Sequence, residues 1–401
     1  MANITYAWEF GANLGHIGAF LPMARALRER HHQVDWVVAQ VGSAARLLDK
    51  EGFAWLQAPL MPEVRREGPP LTYADILLRF GYANASDLLG LVVGWRELFR
   101  LAGSQLVMAD HAPTALLAAR TLGLPVVLFS SGFCIPPRQA PMPNMRPWAP
   151  LPQEQLLAIE REALATINAV LAHFGQAPLA AVWQLFDVAE DTLLGFPELD
   201  HYPLRGAARY WGNLPDAGVG GAPIWPAVPG KRLFAYLRTE SVHHEAALAA
   251  LAALGQPTIV FFPNAPTQVV ARFASRHLAF SATPLDLERT AAEADAAVTY
   301  ASMSTTTRFL LAGKPLLLLP GHLEQFLMAR RVEEMGAGLL ADPERPANDL
   351  AQKLQRIVYD PVFAANAAAF AAKYAAFPQA VVIGNLARRV EELLAQNGVP
   401  S

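Results

Sequence analysis

Residues 296–319 constrain the fold more than any other stretch. Ala296-Ala297-Val298 is a short apolar run of the kind buried inside a sheet, and Tyr300 to Thr307 is a turn of small polar residues. Arg308 to Ala312 reads as helix, Gly313 stops it, and Pro315 opens a second apolar run, Leu316 to Leu319, that Pro320 ends. Strand, turn, helix, strand is the unit of a parallel sheet, because parallel neighbours need a crossover and that crossover is right-handed. The first N–H groups of such a helix have no partner inside it and favour an anion beyond the strand ends. Ser302, Ser304 and Thr305 add hydroxyls there, although a plain N-cap uses the same residue types. Glu324 and Gln325 follow the second strand, at the edge where open α/β sheets hold ligands.

The same alternation runs along the whole chain. Asn3 to Trp8 reads as a strand and Gly11 to Gly18 as a glycine-rich turn. The helix that follows to Arg30 carries Phe20, Leu21, Ala24 and Leu27 at helical spacing. Strands are expected at 34–39, 106–109, 126–129 and 192–195, with helices at 44–50, 72–101, 113–122 and 153–174. Residues 212–230 are dense in Gly and Pro without periodicity and read as a linker. Strands at 232–237, 258–262 and 278–280 and helices at 243–254, 266–276 and 286–293 then lead into the opening stretch, and helices at 347–358, 362–373 and 378–396 end the chain. The fold class is therefore α/β, with two Rossmann-like doubly wound domains. Their expected bounds are 1–211 and 231–377, with 378–401 a terminal helix open to crossing back onto the first domain.

Composition excludes several classes. With 53% hydrophobic and 17% charged residues among 401, the chain has ample material for a core. A net charge of -3 gives no electrostatic footprint for nucleic acid. The single cysteine, Cys134, rules out a disulfide framework and reads as a small buried hydrophobe. No carboxylate-rich metal cluster appears, and no apolar stretch reaches the roughly 18 residues of a spanning helix. The N-terminus lacks a basic region followed by an apolar run. A soluble, cytoplasmic protein without a metal is expected.

Few residues carry chemistry. Gly11, Gly15 and Gly18 miss the spacing of a dinucleotide fingerprint, and Asp35 stands near the start of its strand, so NAD is not expected. No nucleophile elbow G-x-S-x-G occurs. The pairs His31-His32 and His243-His244 lack partners at metal-ligand spacing and read as surface residues. His16 lies in the turn after the first strand, where a histidine is most often solvated or bonded to backbone. Asp110 ends another strand of the same sheet, so the two can meet across the crevice, and a histidine held by a carboxylate is a tuned general base. The irregular segment 130–152, rich in Pro, Met and aromatics, reads either as a cover over the core or as one wall of an apolar pocket.

Two segments resemble a known family. Gly15 to Leu27, GHIGAFLPMARAL, is similar to the N-terminal signature of family 1 glycosyltransferases of the GT-B fold. Tyr300 to Gln325 resembles that family's donor motif, H-G-G-x-G-T-x-x-E-x-L-x-x-G-x-P followed by P-x-x-x-(D/E)-Q, through Thr305, Leu310, Gly313, Pro315, Pro320, Glu324 and Gln325. The segments 326–338 and 234–237 resemble neighbouring parts of the donor domain, so the likeness spans nearly the whole chain.

The resemblance implies two domains facing a central cleft and an inverting, metal-independent transfer of a sugar from a UDP- or dTDP-linked donor to a hydroxyl of an apolar small molecule. The donor is a co-substrate and no cofactor is expected. The resemblance makes His16 the base and Asp110 its support. It puts Ser302, Met303, Ser304 and Thr305 at the diphosphate with a hydroxyl from Thr239, and Thr283, Pro284 and Leu285 beside the nucleobase. Glu324 and Gln325 would meet sugar hydroxyls, and Phe133, Ile135, Met142 and Trp148 would line the acceptor pocket. The motif is altered: Tyr300 stands for its histidine, Ala301, Ser302 and Ser304 for its glycines, and Arg308 for its glutamate. Arg308 is then free to meet a phosphate or another anionic group. The altered loop leaves open a non-catalytic nucleotide-sugar or small-molecule binding protein on the same fold, or another enzyme of that fold such as a nucleotide-sugar epimerase.

Overall fold

The computed structural model of the chain describes residues 1–11, 15–214, 220–239, 241–342 and 348–398, without the side chains of residues 43 and 46. They form two compact units. The first comprises Met1–Leu194, Tyr202–Trp211 and Ala380–Ser401, and the second Gly195–His201 and Gly212–Gln379.

The first unit is built on six parallel strands: β1 (Asn3–Trp8), β2 (Gln33–Val38), β3 (Trp55–Gln57), β4 (Leu106–Asp110), β5 (Val126–Ser131) and β6 (Glu190–Leu194). Their order is β3-β2-β1-β4-β5-β6. The central strands are near-continuous apolar runs, as burial on both faces of a parallel sheet requires. From β1 the chain winds outward through β2 and β3, then returns to the other side of β1 as β4. The winding sense reverses there, which opens a crevice at the C-terminal ends of β1 and β4. Trp8 pairs with Asp110 across that boundary, so both strands end level.

The second unit repeats the plan with β7 (Leu233–Tyr236), β8 (Thr258–Phe261), β9 (Leu278–Ser281), β10 (Ala296–Thr299), β11 (Leu316–Leu318) and β12 (Gly338–Leu340). The order β12-β11-β10-β7-β8-β9 is the same topology started afresh, with its reversal between β7 and β10.

Several expectations shift. The first helix spans Gly15–Glu29, so His16 sits in its first turn rather than in a preceding loop. The helix after β10 begins at Met303 rather than Arg308. The stretch 72–101 breaks at Gly81, which holds φ +94°, and restarts as Ala85–Leu101 with Asn84 capping Ser86 and Asp87. The short strands β3 and β12 were not visible in the sequence pattern. Of the linker expected over 212–230, residues 215–219 lie outside the described residues, and Gly221 bridges to Leu285. Residue 347, expected to open a helix, also lies outside them. The terminal helix Val382–Gln396 carries Glu391, which pairs with Arg30 at 2.8 Å within the first unit. Two histidines expected at the surface are buried: His32 accepts from the Ala2 N–H, and Nε2 of His243 lies 2.9 Å from the Asp342 carbonyl. Cys134 is a buried thiol outside any disulfide, and its sulfur accepts from the Ser131 hydroxyl at 3.8 Å. Among the described residues no single helix is long and apolar enough to cross a membrane, and no cluster of His, Cys, Asp or Glu could hold a metal.

Candidate active site

The crevice of the first unit holds a polar cluster built from four elements. Nδ1 of His16 lies 2.7 Å from Oδ2 of Asp110. Asp110 also accepts from the Tyr6 hydroxyl at 2.9 Å and from the Ser130 hydroxyl at 2.6 Å. Its side chain is 5% exposed, and burial alone would push its carboxyl up. The nearby His16 and the hydrogen bonds from His16, Ser130 and Tyr6 outweigh burial and hold it below the usual carboxylate range. Burial and then Asp110 push the Tyr6 phenol well up, so it stays a donor.

An ionised carboxylate can only accept, so Nδ1 of His16 carries the hydrogen and Nε2 is left as the basic nitrogen. The Tyr6 hydroxyl also reaches the His16 carbonyl at 3.2 Å, and Trp8 stacks on the imidazole with ring centroids 5.1 Å apart. Gly11 completes the setting. A Cβ there would stand 2.6 Å from Nε2 of His16, and its φ of +97° is one that only glycine adopts readily. The backbone at residue 11 thus lies directly against the basic nitrogen. Tyr6 and Ser130 had no signal as site residues in the sequence, because their convergence depends on β4 lying between β1 and β5, and Gly11 stood out there only as part of a dinucleotide fingerprint of the wrong spacing.

A cavity of about 230 Å³ opens beside this cluster. Glu9, Phe10, Gly11, Ala39, Gln40, Leu60, Met61 and Phe80 line it. Phe133, Ile135, Met142 and Trp148 do not. The first three are buried, with Met142 N–H bonded to Glu160 at 2.8 Å and the Ile135 carbonyl taken by Arg205 at 2.6 Å, whereas Trp148 is exposed. Glu9 is a second buried carboxyl missed in the sequence. It accepts from the backbone and hydroxyl of Thr114 at 2.8 and 2.5 Å, at the start of the helix Pro113–Leu122. Burial pushes it up to about 8 against the opposing pull of those bonds.

At the reversal point of the second unit, Tyr300 leaves β10 and meets Tyr236, the last residue of β7, edge-on with centroids 4.8 Å apart. Ser302 stands at the N-cap of the helix Met303–Leu311, yet its hydroxyl caps nothing and is buried without a hydrogen-bond partner. Such a group costs about 1–3 kcal/mol unless something pairs with it.

No family model matches the chain. It is 29% identical to a PGL/p-HBAD biosynthesis rhamnosyltransferase of Mycobacterium bovis, over 69% of this chain and 66% of that protein, just under two thirds of its length. It is 26% identical to a PGL/p-HBAD biosynthesis glycosyltransferase of Mycobacterium tuberculosis, over 76% of this chain and 77% of that one. Among solved structures, the glycosyltransferase VinC in complex with dTDP has a TM-score of 0.68 at 19% identity, covering 97% of this chain and 100% of its own. Spinosyn rhamnosyltransferase SpnG has a TM-score of 0.65 at 19% identity, covering 95% and 99%. The chain shares the two-sheet GT-B fold of these structures.

Against the GT-B donor motif the altered residues have definite places. Ala301, at a motif glycine, takes φ +61°, the left-handed conformation that glycine adopts without cost. Ser304 is exposed, whereas Thr305 is 2% exposed and Met303 packs against Gly195. Arg308 is buried and donates to the Leu214 carbonyl at 3.1 Å, a bond within the unit. Glu324 and Gln325 lie in the first turn of the helix Leu323–Glu334, where Gln325 accepts from the Gly321 N–H at 2.8 Å. Because β11 flanks β10, these residues leave the sheet at the same edge as Tyr300. Thr239 is exposed beyond β7. Thr283 and Pro284 are exposed and Leu285 is buried, with the Pro284 carbonyl accepting from Gly221 at 2.9 Å.

Proposed function

We propose that this chain is an inverting, metal-independent glycosyltransferase moving a sugar from a nucleoside diphosphate to a hydroxyl of an apolar small molecule. The His16–Asp110 pair carries this reading, since it presents a basic Nε2 at the crevice of the first unit. Nε2 takes the proton of the acceptor hydroxyl as its oxygen bonds to the anomeric carbon, while the bond from that carbon to the diphosphate breaks. A single displacement of this kind inverts the anomeric centre. Asp110 keeps the imidazole in its reactive tautomer and stabilises the imidazolium that forms. In this reading the first unit binds the acceptor and the second binds the donor, its diphosphate near Tyr300, Ser302 and the start of the helix Met303–Leu311. A dTDP- or UDP-linked donor is favoured because VinC binds dTDP and the mycobacterial relative is a rhamnosyltransferase. A cytoplasmic place of action belongs to the same reading.

Calorimetric titration with UDP, dTDP and GDP tests it, followed by an acceptor screen with the matching sugar nucleotide. Micromolar binding of one nucleotide and donor-dependent transfer are expected. Binding without transfer to any acceptor would favour a non-catalytic binding protein, and failure to bind all three would remove the donor site.

A further inference from the structure

We propose that Arg238, together with Tyr300 and Tyr236, forms the diphosphate clamp of the second unit, in place of the histidine that the donor motif carries at position 300. This inference rests on the reading of that unit as the donor unit.

Arg238 lies two residues beyond β7 and Tyr300 one residue beyond β10, the two strands that flank the winding reversal. Tyr236 pairs with Thr299, so both segments leave the sheet level with one another. The Arg238 guanidinium stands 5.7 Å from the centroid of the Tyr300 ring. Tyr300 in turn packs edge-on against the Tyr236 ring at 4.8 Å between centroids, which sets all three side chains side by side. Burial, then Tyr300, pushes that phenol up, which keeps it a neutral donor. The cation is thereby held at the place where an open α/β sheet takes its ligand.

Two unbonded hydroxyls on the segments that leave these strands point to an anion. Ser302 Oγ is buried and unbonded at the start of the helix Met303–Leu311. Ser241 is 2% exposed, its hydroxyl is likewise unbonded, and it precedes the helix His244–Leu254. The helices that follow β7 and β10, the two strands at the winding reversal, thus each carry an unbonded hydroxyl at or just before their start, and with the Arg238 guanidinium they offer the kind of donors that a doubly charged diphosphate takes. A guanidinium is always charged and offers a planar fork to phosphate oxygens, so it can supply what the missing histidine would have supplied.

The test is titration calorimetry of the full chain with dTDP, UDP and inorganic pyrophosphate, on wild type, R238Q, R238K, Y300H and R238Q/Y300H, with melting curves to verify folding. R238Q should weaken the bound nucleotide at least tenfold and pyrophosphate in parallel. R238K should fall between R238Q and wild type, since it keeps the charge but loses the fork. Y300H in the R238Q background should restore part of the affinity, an effect that a merely structural role for Arg238 would not produce. Wild-type nucleotide affinity in R238Q or in R238K with no rescue by Y300H would overturn the clamp while leaving the donor unit standing. Failure of the wild-type protein to bind either nucleotide would overturn the donor reading itself, and the clamp with it.

Discussion

A methyl group on Gly11 would stand 2.6 Å from Nε2 of His16. Backbone and imidazole are in such close contact that the residue at 11 decides where the basic nitrogen can be. Gly11→Ala also asks alanine to hold φ +97°. The imidazole must move by several tenths of an ångström or more, and displacements of about 1 Å at a reacting group cost roughly a hundredfold in rate. The expected result is a fall in kcat of that order with donor affinity unchanged, measured by steady-state kinetics beside calorimetry. An undiminished kcat would show that Nε2 is not the reacting nitrogen.

Asp110→Asn keeps the shape of the cluster and reverses one hydrogen bond. The carboxylate accepts from Nδ1 of His16, from Tyr6 and from Ser130. An amide turned to donate to Nδ1 puts the hydrogen on Nε2, which then cannot take a proton. Loss of a general base costs about 10²–10⁴ in rate. Asp110→Asn and His16→Ala should both fall in that range, and the double variant should fall no further, because the two act as one unit. Strictly multiplicative losses would mean that they act separately.

The pairing of His16 with Asp110 was legible because Asp110 ends one strand and His16 follows another, and strand ends of one parallel sheet share an edge. Tyr6 and Ser130 were not, since nothing local to β1 or β5 says that β4 lies between them. Strand runs such as ITYAW and LVMA were clear as apolar blocks, whereas β3 and β12, three residues each, are too short to show a period. Helix starts were misplaced where Ser, Thr and Gly cluster. These residues favour turns by intrinsic propensity, and sheet packing overrides that preference at Met303–Thr307. The apolar loop residues Phe133, Ile135 and Met142 looked equally suited to a pocket wall or a core, and they are buried. Arg238 belonged to no motif, so only the strand order gives it a place.

Glu9 ties stability to pH. An exposed glutamate titrates near 4.5, and burial pushes Glu9 up to about 8. Between those values the folded chain holds one proton more than the unfolded chain, so stability falls as pH rises from about 4.5 to about 8 and then levels. The slope from one such group is at most about 1.4 kcal/mol per pH unit. Glu9→Gln removes the titration, so its stability should decline less over this window. It should also be less stable at pH 5, because an amide nitrogen cannot accept the second bond from Thr114. Urea unfolding at pH 5, 6.5 and 8.5 tests this; parallel curves for the two proteins would place the Glu9 titration near its ordinary value.

Ala301 holds φ +61° where the donor motif has glycine. A left-handed residue with a Cβ costs about 1–2 kcal/mol. Glycine avoids that strain but gives up about 0.4–1 kcal/mol through the extra freedom of the unfolded chain. Ala301→Gly should therefore stabilise the fold by up to about 1.6 kcal/mol, and Ala301→Val, β-branched at the same φ, should destabilise it. Denaturant midpoints give both signs. A stabilised valine variant would mean that the turn after β10 is not left-handed.

On the proposed reading, the cavity beside His16 sets the size of the acceptor. Its volume is about 230 Å³, and Gly11 is shared between its wall and the contact with Nε2. A cavity of about 150 Å³ admits benzene, so this one has room for one or two rings, seated among Phe10, Leu60, Met61 and Phe80. Met61→Trp adds a ring to the wall and should exclude such an acceptor without touching the second unit. Removing a ring-sized apolar contact is worth about 1.5–3 kcal/mol, or roughly 10- to 150-fold in KM. Naphthol-type phenols, assayed with a saturating sugar nucleotide, should show that rise in acceptor KM while calorimetric donor affinity stays at the wild-type value. An unchanged KM would place the acceptor outside this cavity, and the exposed Trp148 of the loop 130–152 would be the next position to substitute.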